Sequence, residues 1–283
     1  MRDFYFHQPT SLNEALDMLD AHQEDGRPMA GGTALIVLMK QSLVAADHLI
    51  SLDRVPGLSG IRLESDGLHI GALTRHREVE TSALVKQHAP LLAEAYRRVA
   101  TVRIRNVATV GGGLAHADPA QDPPPTLMVL GASVKLQSKN GTRTVAVTDL
   151  FTDYYETVIQ PSELLTEVIV PVQPANAKTV YLKFLPRTAD DYATVAVAAM
   201  GQVEGGSVRN LKVALGAAGP TPVHATNVET ALQGQSVSPQ AIRSAADAVA
   251  SQVDPLDDFR GSSGYKRDMA VVFTRRALER VLA

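Results

Sequence analysis

Two glycine clusters are the residues of this sequence best suited to holding a ligand: Ala30-Gly31-Gly32-Thr33 and Thr109-Val110-Gly111-Gly112-Gly113. Backbone N–H groups grip a diphosphate only where the chain approaches closely, which calls for residues that lack a Cβ and tolerate positive φ. A helix or turn begun by the residues that follow would add unsatisfied N–H groups, and Thr33 and Thr109 offer hydroxyl donors. Paired glycines are also common punctuation, so either cluster taken alone is readable as a tight turn. Neither has the spacing G-x-x-x-x-G-K-[ST] or, after a strand, G-x-G-x-x-G, which excludes a P-loop and disfavours a Rossmann site. Asp122, shortly after the second cluster, has the chemistry to accept hydrogen bonds from ribose hydroxyls, although a solvated loop carboxylate would look the same.

Other chemistries find little support. The chain has no cysteine, which removes a disulfide framework, a thiolate nucleophile and any cysteine-held zinc or iron–sulfur centre from this polypeptide. His116 and Asp118 lack the companion ligands of a metal motif. G-x-S-x-G is absent, and no Ser/His/Asp set or acid–base carboxylate pair declares itself. We therefore expect no catalytic residue and no metal site in this chain, and a reaction centre residing in a bound cofactor.

The elements that must position the glycines read as follows. Ser11 and Glu14 stand in capping-box spacing before a helix that ends near Gly26. Residues 27–30 form a strand running into the first glycine loop, the apolar run LIVLM continues as a helix-like segment, and residues 48–52 form a buried strand. Alternating residues 61–73 turn at Asp66-Gly67, and residues 78–100 are helical with a break at Pro90. The stretch NVATVGGGLAHADPAQDPPP is expected to contain no helix, and a short helix follows over residues 127–130. A hairpin turns at Asn140-Gly141, ELLTEVIVPV is a strand, and VQPANAK is a linker. YLKFL, ATVAVAAM and LKVALGAAG then build a small antiparallel sheet with a turn at Gly205-Gly206. Helices follow, one capped by Ser238 and running to about residue 253, and one over residues 265–282. The expected fold is α+β, with a boundary near residue 175.

With 283 residues, 45% apolar and 20% charged, the chain can bury a sizeable core without an external staple. The net charge of -3 is spread along the chain, which argues against nucleic acid as a partner. No run approaches the roughly 18 to 20 apolar residues of a spanning helix, and no signal core opens the sequence, so a cytoplasmic location is expected.

Three ordered segments, AGGTALIVLMK at 30–40, IRNVATVGGGLAHADPAQDPPP at 104–125 and YLKFLPRTADDYATVAVAA at 181–199, resemble one family, as does the terminal GYKRDMAVVFTRRAL. It is the FAD-binding medium subunit of molybdenum hydroxylases of the carbon monoxide dehydrogenase and xanthine dehydrogenase type. The resemblance implies an FAD-binding domain of the vanillyl-alcohol-oxidase (PCMH) type over 1–175, in subdomains of about 1–57 and 58–175. It implies a C-terminal domain over 176–283, with a three-stranded antiparallel sheet and helices.

By the same resemblance, Pro28, Met29, Ala30, Gly31, Gly32, Thr33, Ala34 and Leu35 match one pyrophosphate loop, and Thr109, Val110, Gly111, Gly112 and Gly113 match the other. Asp122 matches an acidic residue near the adenosine ribose, Leu164 and Lys183 match cofactor contacts, and Tyr192 matches a position that shields the isoalloxazine in some relatives. A strand tyrosine packed in a core would look alike. Where the family often has Asp and Asn, this chain has Ala34 and Gly113, which removes side-chain recognition at both places. The benzoyl-CoA reductase branch, whose flavoprotein holds a cysteine-ligated cluster, does not fit a cysteine-free chain.

The implied partners are a small subunit with two 2Fe-2S clusters and a large molybdopterin subunit, in a dimer of heterotrimers, with electrons leaving through FAD to an external acceptor. A self-contained flavin oxidase and a non-catalytic assembly subunit are the rival readings.

Overall fold

In the computed structural model, which describes residues 2–185, 187–188 and 190–283, three main sheets are stacked along the chain and each carries helices. The first unit comprises β1 (Tyr5–His7), α1 (Leu12–His22), β2 (Gly26–Met29), α2 (Leu35–Lys40) and β3 (His48–Ser51), its strands parallel in the order β1-β3-β2. Ser11 caps α1 by accepting from the Glu14 amide, but the Glu14 carboxylate reaches the Thr10 amide at 2.7 Å instead of closing on Ser11. The helix stops at His22, and a 3-10 turn occupies the remaining residues before Gly26, which already belongs to a strand. Pro28 is tolerated because β2 is an edge strand. The three-residue β1 is too short for an alternating pattern to reveal.

The second unit holds β4 (Ile61–Glu64), β5 (Gly67–Gly71), α3 (His76–Thr81), α4 (Ala83–His88), α5 (Pro90–Arg97), α6 (Val102–Arg105), α7 (Val110–His116) and α8 (Pro123–Val129). It continues through β6 (Ser133–Ser138), β7 (Gly141–Ala146), the small ribbon β8 (Phe151–Asp153) and β9 (Glu156–Thr157), and β10 (Leu164–Val170). The five-stranded antiparallel sheet runs β4-β5-β10-β6-β7. Two hairpins turn one residue earlier than expected, because Glu64 pairs with Gly67 and Ser138 with Gly141. Each glycine opens the returning strand, at φ 144° and 143°. The helical stretch before α6 is broken at Ser82, which caps α4, as well as before Pro90.

The largest departure concerns the segment expected to hold no helix, which contains α7 and the start of α8. Thr109 caps α7 through the Gly112 amide. In α8 the three prolines occupy the first turn, where the missing N–H groups would have had no intrahelical partner. All seven residues of α8 are buried, since the helix packs between α5 and the strands of the third unit. A helix that is apolar all round suits such a place.

The third unit contains β11 (Lys178–Phe184), β12 (Val195–Glu204), β13 (Ser207–Gly216), β14 (Val223–His224), α9 (Thr226–Leu232), α10 (Pro239–Asp247) and α11 (Ser263–Leu282). Its sheet adds the two-residue β14 to the three strands expected. Gly205 and Gly206, both at positive φ, make the β12–β13 turn. One face contributes Ala196, Ala198 and Ala214 to the core shared with α8, and the other packs Val197, Val213 and Leu215 against α9, α10 and α11. Among the described residues no helix is long and apolar enough to cross a membrane.

Candidate functional site

The fold brings the two glycine clusters, about eighty positions apart in sequence, against each other. A Cβ on Gly31 would lie 2.1 Å from the Val107 carbonyl oxygen, so only glycine lets the first loop touch the chain leading into the second. A Cβ on Gly112 would lie 3.6 Å from the Ala30 Cβ and 2.7 Å from the Thr109 hydroxyl oxygen, placing this glycine between its own cap and the first loop. Gly111 serves packing instead, because its absent Cβ would fall 2.5 Å from that of Ala72. Gly32, at φ 67°, sits in the left-handed region that favours glycine.

The two loops differ in what their amides do. In the second, Val110 and Gly111 donate to the Thr74 and Ala72 carbonyls at 2.9 and 2.8 Å, Gly112 donates to the Thr109 hydroxyl, and Gly113 donates to the Thr109 carbonyl. The expectation that the second cluster would present unsatisfied N–H groups is therefore corrected: capping and docking onto the end of β5 use them. In the first loop, among the described residues, the amides of Gly31, Gly32, Thr33, Ala34 and Leu35 donate to no protein acceptor. Helix α2 also begins without a side-chain cap. The first loop thus offers amides free to meet an anion, and the second stands beside it with its amides tied inside the protein.

The second loop is braced by residues that sequence motifs did not single out. His76 is buried, and its Nε2–H donates to the Thr109 carbonyl at 3.1 Å. Burial, with repulsion from Arg105 and despite that bond, pushes its pKa down to about 4, so the ring is neutral at pH 7. Gln121 donates from its side-chain amide to the Gly113 carbonyl at 2.8 Å.

Asp122 and Lys183 lie together but face inward. The Lys183 Nζ is 2.9 Å from Asp122 Oδ2 and donates to the Arg98 carbonyl, also at 2.9 Å, while the Tyr181 hydroxyl donates to Asp122 Oδ1 at 2.5 Å. Burial raises the Asp122 carboxyl above its ordinary range, with Lys183 and Tyr181 opposing it. With 4% and 1% of their side chains exposed, the two residues form an ion pair that ties the start of α8 to β11. Leu164 is likewise buried, among Leu16, Leu19 and Ile50 of the first unit. Tyr192 is the open member of the set, 48% exposed, with the Arg260 guanidinium 5.8 Å from its ring centre. Near the C-terminal end of α7, the Tyr155 ring packs 5.3 Å from that of His116 and its hydroxyl donates to Asp118 at 3.3 Å.

Five free amides, a left-handed glycine and an uncapped helix start fit the diphosphate of a dinucleotide cofactor such as FAD. Residues 2–173 match the family described as "FAD binding domain in molybdopterin dehydrogenase", and residues 180–281 match the "CO dehydrogenase flavoprotein C-terminal domain". The chain is 34% identical over 279 residues to the glyceraldehyde dehydrogenase medium chain of Sulfolobus acidocaldarius, covering 99% of this chain and 98% of that protein. It is 34% identical to the carbon monoxide dehydrogenase medium chain of Hydrogenophaga pseudoflava, with 97% and 96% of the two chains covered. A solved carbon monoxide dehydrogenase from Hydrogenophaga pseudoflava superposes with a TM-score of 0.96 at 35% identity, covering 99% of this chain and 97% of that one. The FAD-binding fold, its FAD cofactor and its full-length kinship together make this chain a member of the FAD-binding medium subunits of molybdenum hydroxylases, an oxidoreductase component.

Proposed function

We propose that this chain carries the FAD through which electrons leave a heterotrimeric molybdenum hydroxylase, and that the diphosphate lies between the two glycine loops. The observation that carries the reading is the contact of Gly31 with the Val107 backbone, which sets five free amides of one loop beside the rigid Thr109-to-Gly113 wall. In this reading the amides of Gly31, Gly32, Thr33, Ala34 and Leu35 hold the diphosphate. Pro28, Met29 and Ala30 carry the chain from β2 into that loop, and Gly112 leaves room beside Ala30. Helix α7, about 10 Å long at 1.5 Å per residue, separates the diphosphate end from the Tyr192 end, where the isoalloxazine lies. Leu164, Asp122 and Lys183 shape the pocket from behind, Asp122 reaching a ribose only if its ion pair opens. The domain division at residue 175, with subdomains meeting near 57 and 58, belongs to the same reading.

When bound, FAD supplies redox chemistry linking iron–sulfur clusters of a small subunit to an external acceptor, while substrate is oxidised at a molybdopterin subunit. The chain's own part is to seat the cofactor, exclude water from its diphosphate and keep one face open. The relatives' names support multi-subunit assembly: they include medium chains of glyceraldehyde and carbon monoxide dehydrogenases and a medium subunit of nicotine 6-hydroxylase. A dimer of heterotrimers in the cytoplasm completes the proposal, with an aldehyde, purine, N-heterocycle or carbon monoxide as substrate.

The test is to express the chain alone and with its two partner subunits, then to follow dye reduction over a panel of aldehydes and N-heterocycles. Turnover only by the assembled complex is the expected result. Robust turnover by the isolated flavoprotein would favour a self-contained oxidase, and a colourless chain that takes up no FAD would favour an assembly subunit.

A further inference from the structure

At the end of the first sheet remote from the glycine loop, three histidines from separate elements converge. His7 ends β1, His22 ends α1 and His48 opens β3. His48 pairs across the sheet with Tyr5 and with Gly26, three residues before the Met29 that leads into the glycine loop. At about 3.3 Å per residue the cluster stands roughly 10 Å from that loop. The rings of His22 and His48 stack at 3.5 Å with 13° between their planes, and His7 Nε2 lies 2.9 Å from His48 Nδ1. A Cβ on Gly26 would sit 3.1 Å from the His22 Cβ, so a glycine here gives the end of α1 room against the sheet.

The geometry points to a three-histidine site for a divalent transition-metal ion of borderline softness, Zn2+, Co2+ or Ni2+, built by His7, His22 and His48. One ring nitrogen from each residue lies within 4.8 Å of the others. Two imidazole nitrogens bound tetrahedrally at about 2.0 to 2.1 Å from an ion stand roughly 3.4 Å apart. Modest side-chain rotations therefore turn the present stack into a ligand set. Three neutral imidazoles suit such ions better than hard Mg2+ or Ca2+. All three side chains are only half-buried, leaving the remaining coordination position to water or to a donor from outside the chain. The histidines are 15 and 26 positions apart, far outside any short ligand motif, which is why motif reading expects no metal here.

The test uses tag-free, chelator-treated protein that retains its FAD, with Zn2+ measured by equilibrium dialysis and Co2+ by its visible absorption bands. We expect one ion per chain, binding weakened roughly tenfold or more by His48→Ala or His22→Ala, and FAD content equal to the parent in both variants. Affinity should fall as pH drops below about 6.5, where protons compete for the imidazoles. His88→Ala, outside the cluster, should bind as the parent does. Absence of stoichiometric binding by the parent, or equal binding by all the variants, would overturn the site.

Discussion

At Gly31 a missing Cβ makes room for the Val107 carbonyl, at Gly32 it permits φ 67°, and at Gly111 it admits Ala72. The three positions should therefore fail differently. Gly31→Ala forces backbone apart from backbone and opens the gap between the loops. We expect it to weaken FAD at least tenfold, about 1.4 kcal/mol, read by flavin titration. Gly113→Ala meets the end of the Gln121 side chain at 3.1 Å and the His76 ring at an ordinary contact of 3.5 Å, with no backbone in the way, and should keep near-parent flavin. Equal losses in both variants would mean that the glycines act as generic turn residues. The sequence marks these positions as a ligand loop because glycine clusters are locally visible. It does not separate free amides from tied ones, because the acceptors Thr74 and Ala72, and the Val107 carbonyl packed against Gly31, are set in place by tertiary structure. For the same reason no motif points to His76 or Gln121, whose roles depend on what the fold sets beside them.

Among the elements, α8 shows how local rules and burial combine. Prolines are helix breakers only where an N–H is needed, and three of them in a first turn leave α8 intact between α5 and the third unit's sheet. Asp122 precedes that helix and pairs with Lys183 on β11. Removing one partner of a buried pair costs about 3 to 5 kcal/mol, so Asp122→Ala should lower the melting temperature by several degrees. Asp122→Leu combined with Lys183→Met should recover much of that loss. A fall in FAD affinity without change in the melt would instead assign Asp122 to the ribose.

In the second sheet, Glu167 gathers Lys135, His69 and Arg62. Although burial alone would raise its pKa, those three partners hold the carboxyl down to about 2, against a reference of 4.5. Its folded pKa lies below its unfolded value, so its stabilisation is present above pH 4.5 and is lost as pH falls from there toward 2. Thermal melts should show Glu167→Gln destabilised at pH 7 by about 2 kcal/mol, with the gap to the parent narrowing by pH 3. A gap that does not change with pH would refute this role. The strands of this sheet are legible from alternation and turn glycines, whereas the partners converging on Glu167 depend on its register.

Across the whole molecule, the first unit supplies the loop of free amides, the second supplies the tied loop beside it, and the third packs on α8 through a shared core. The ordered motifs made the family legible from the sequence. The packing of the units was not legible, because it rests on buried apolar faces such as Ala196, Ala198 and Ala214 that carry no signature of their partner. The central claim, that the amides of the first loop receive the diphosphate while those of the second remain tied inside the protein, is open to one direct measurement. Glycine-selective 15N labelling, with amide spectra recorded before and after FAD is added to the flavin-stripped chain, reports on both loops at once. We predict large shifts for Gly31 and Gly32, with Gly111 little changed and slow to exchange with solvent in both states. Large shifts at Gly111, Gly112 and Gly113 with Gly31 and Gly32 unmoved would contradict the account.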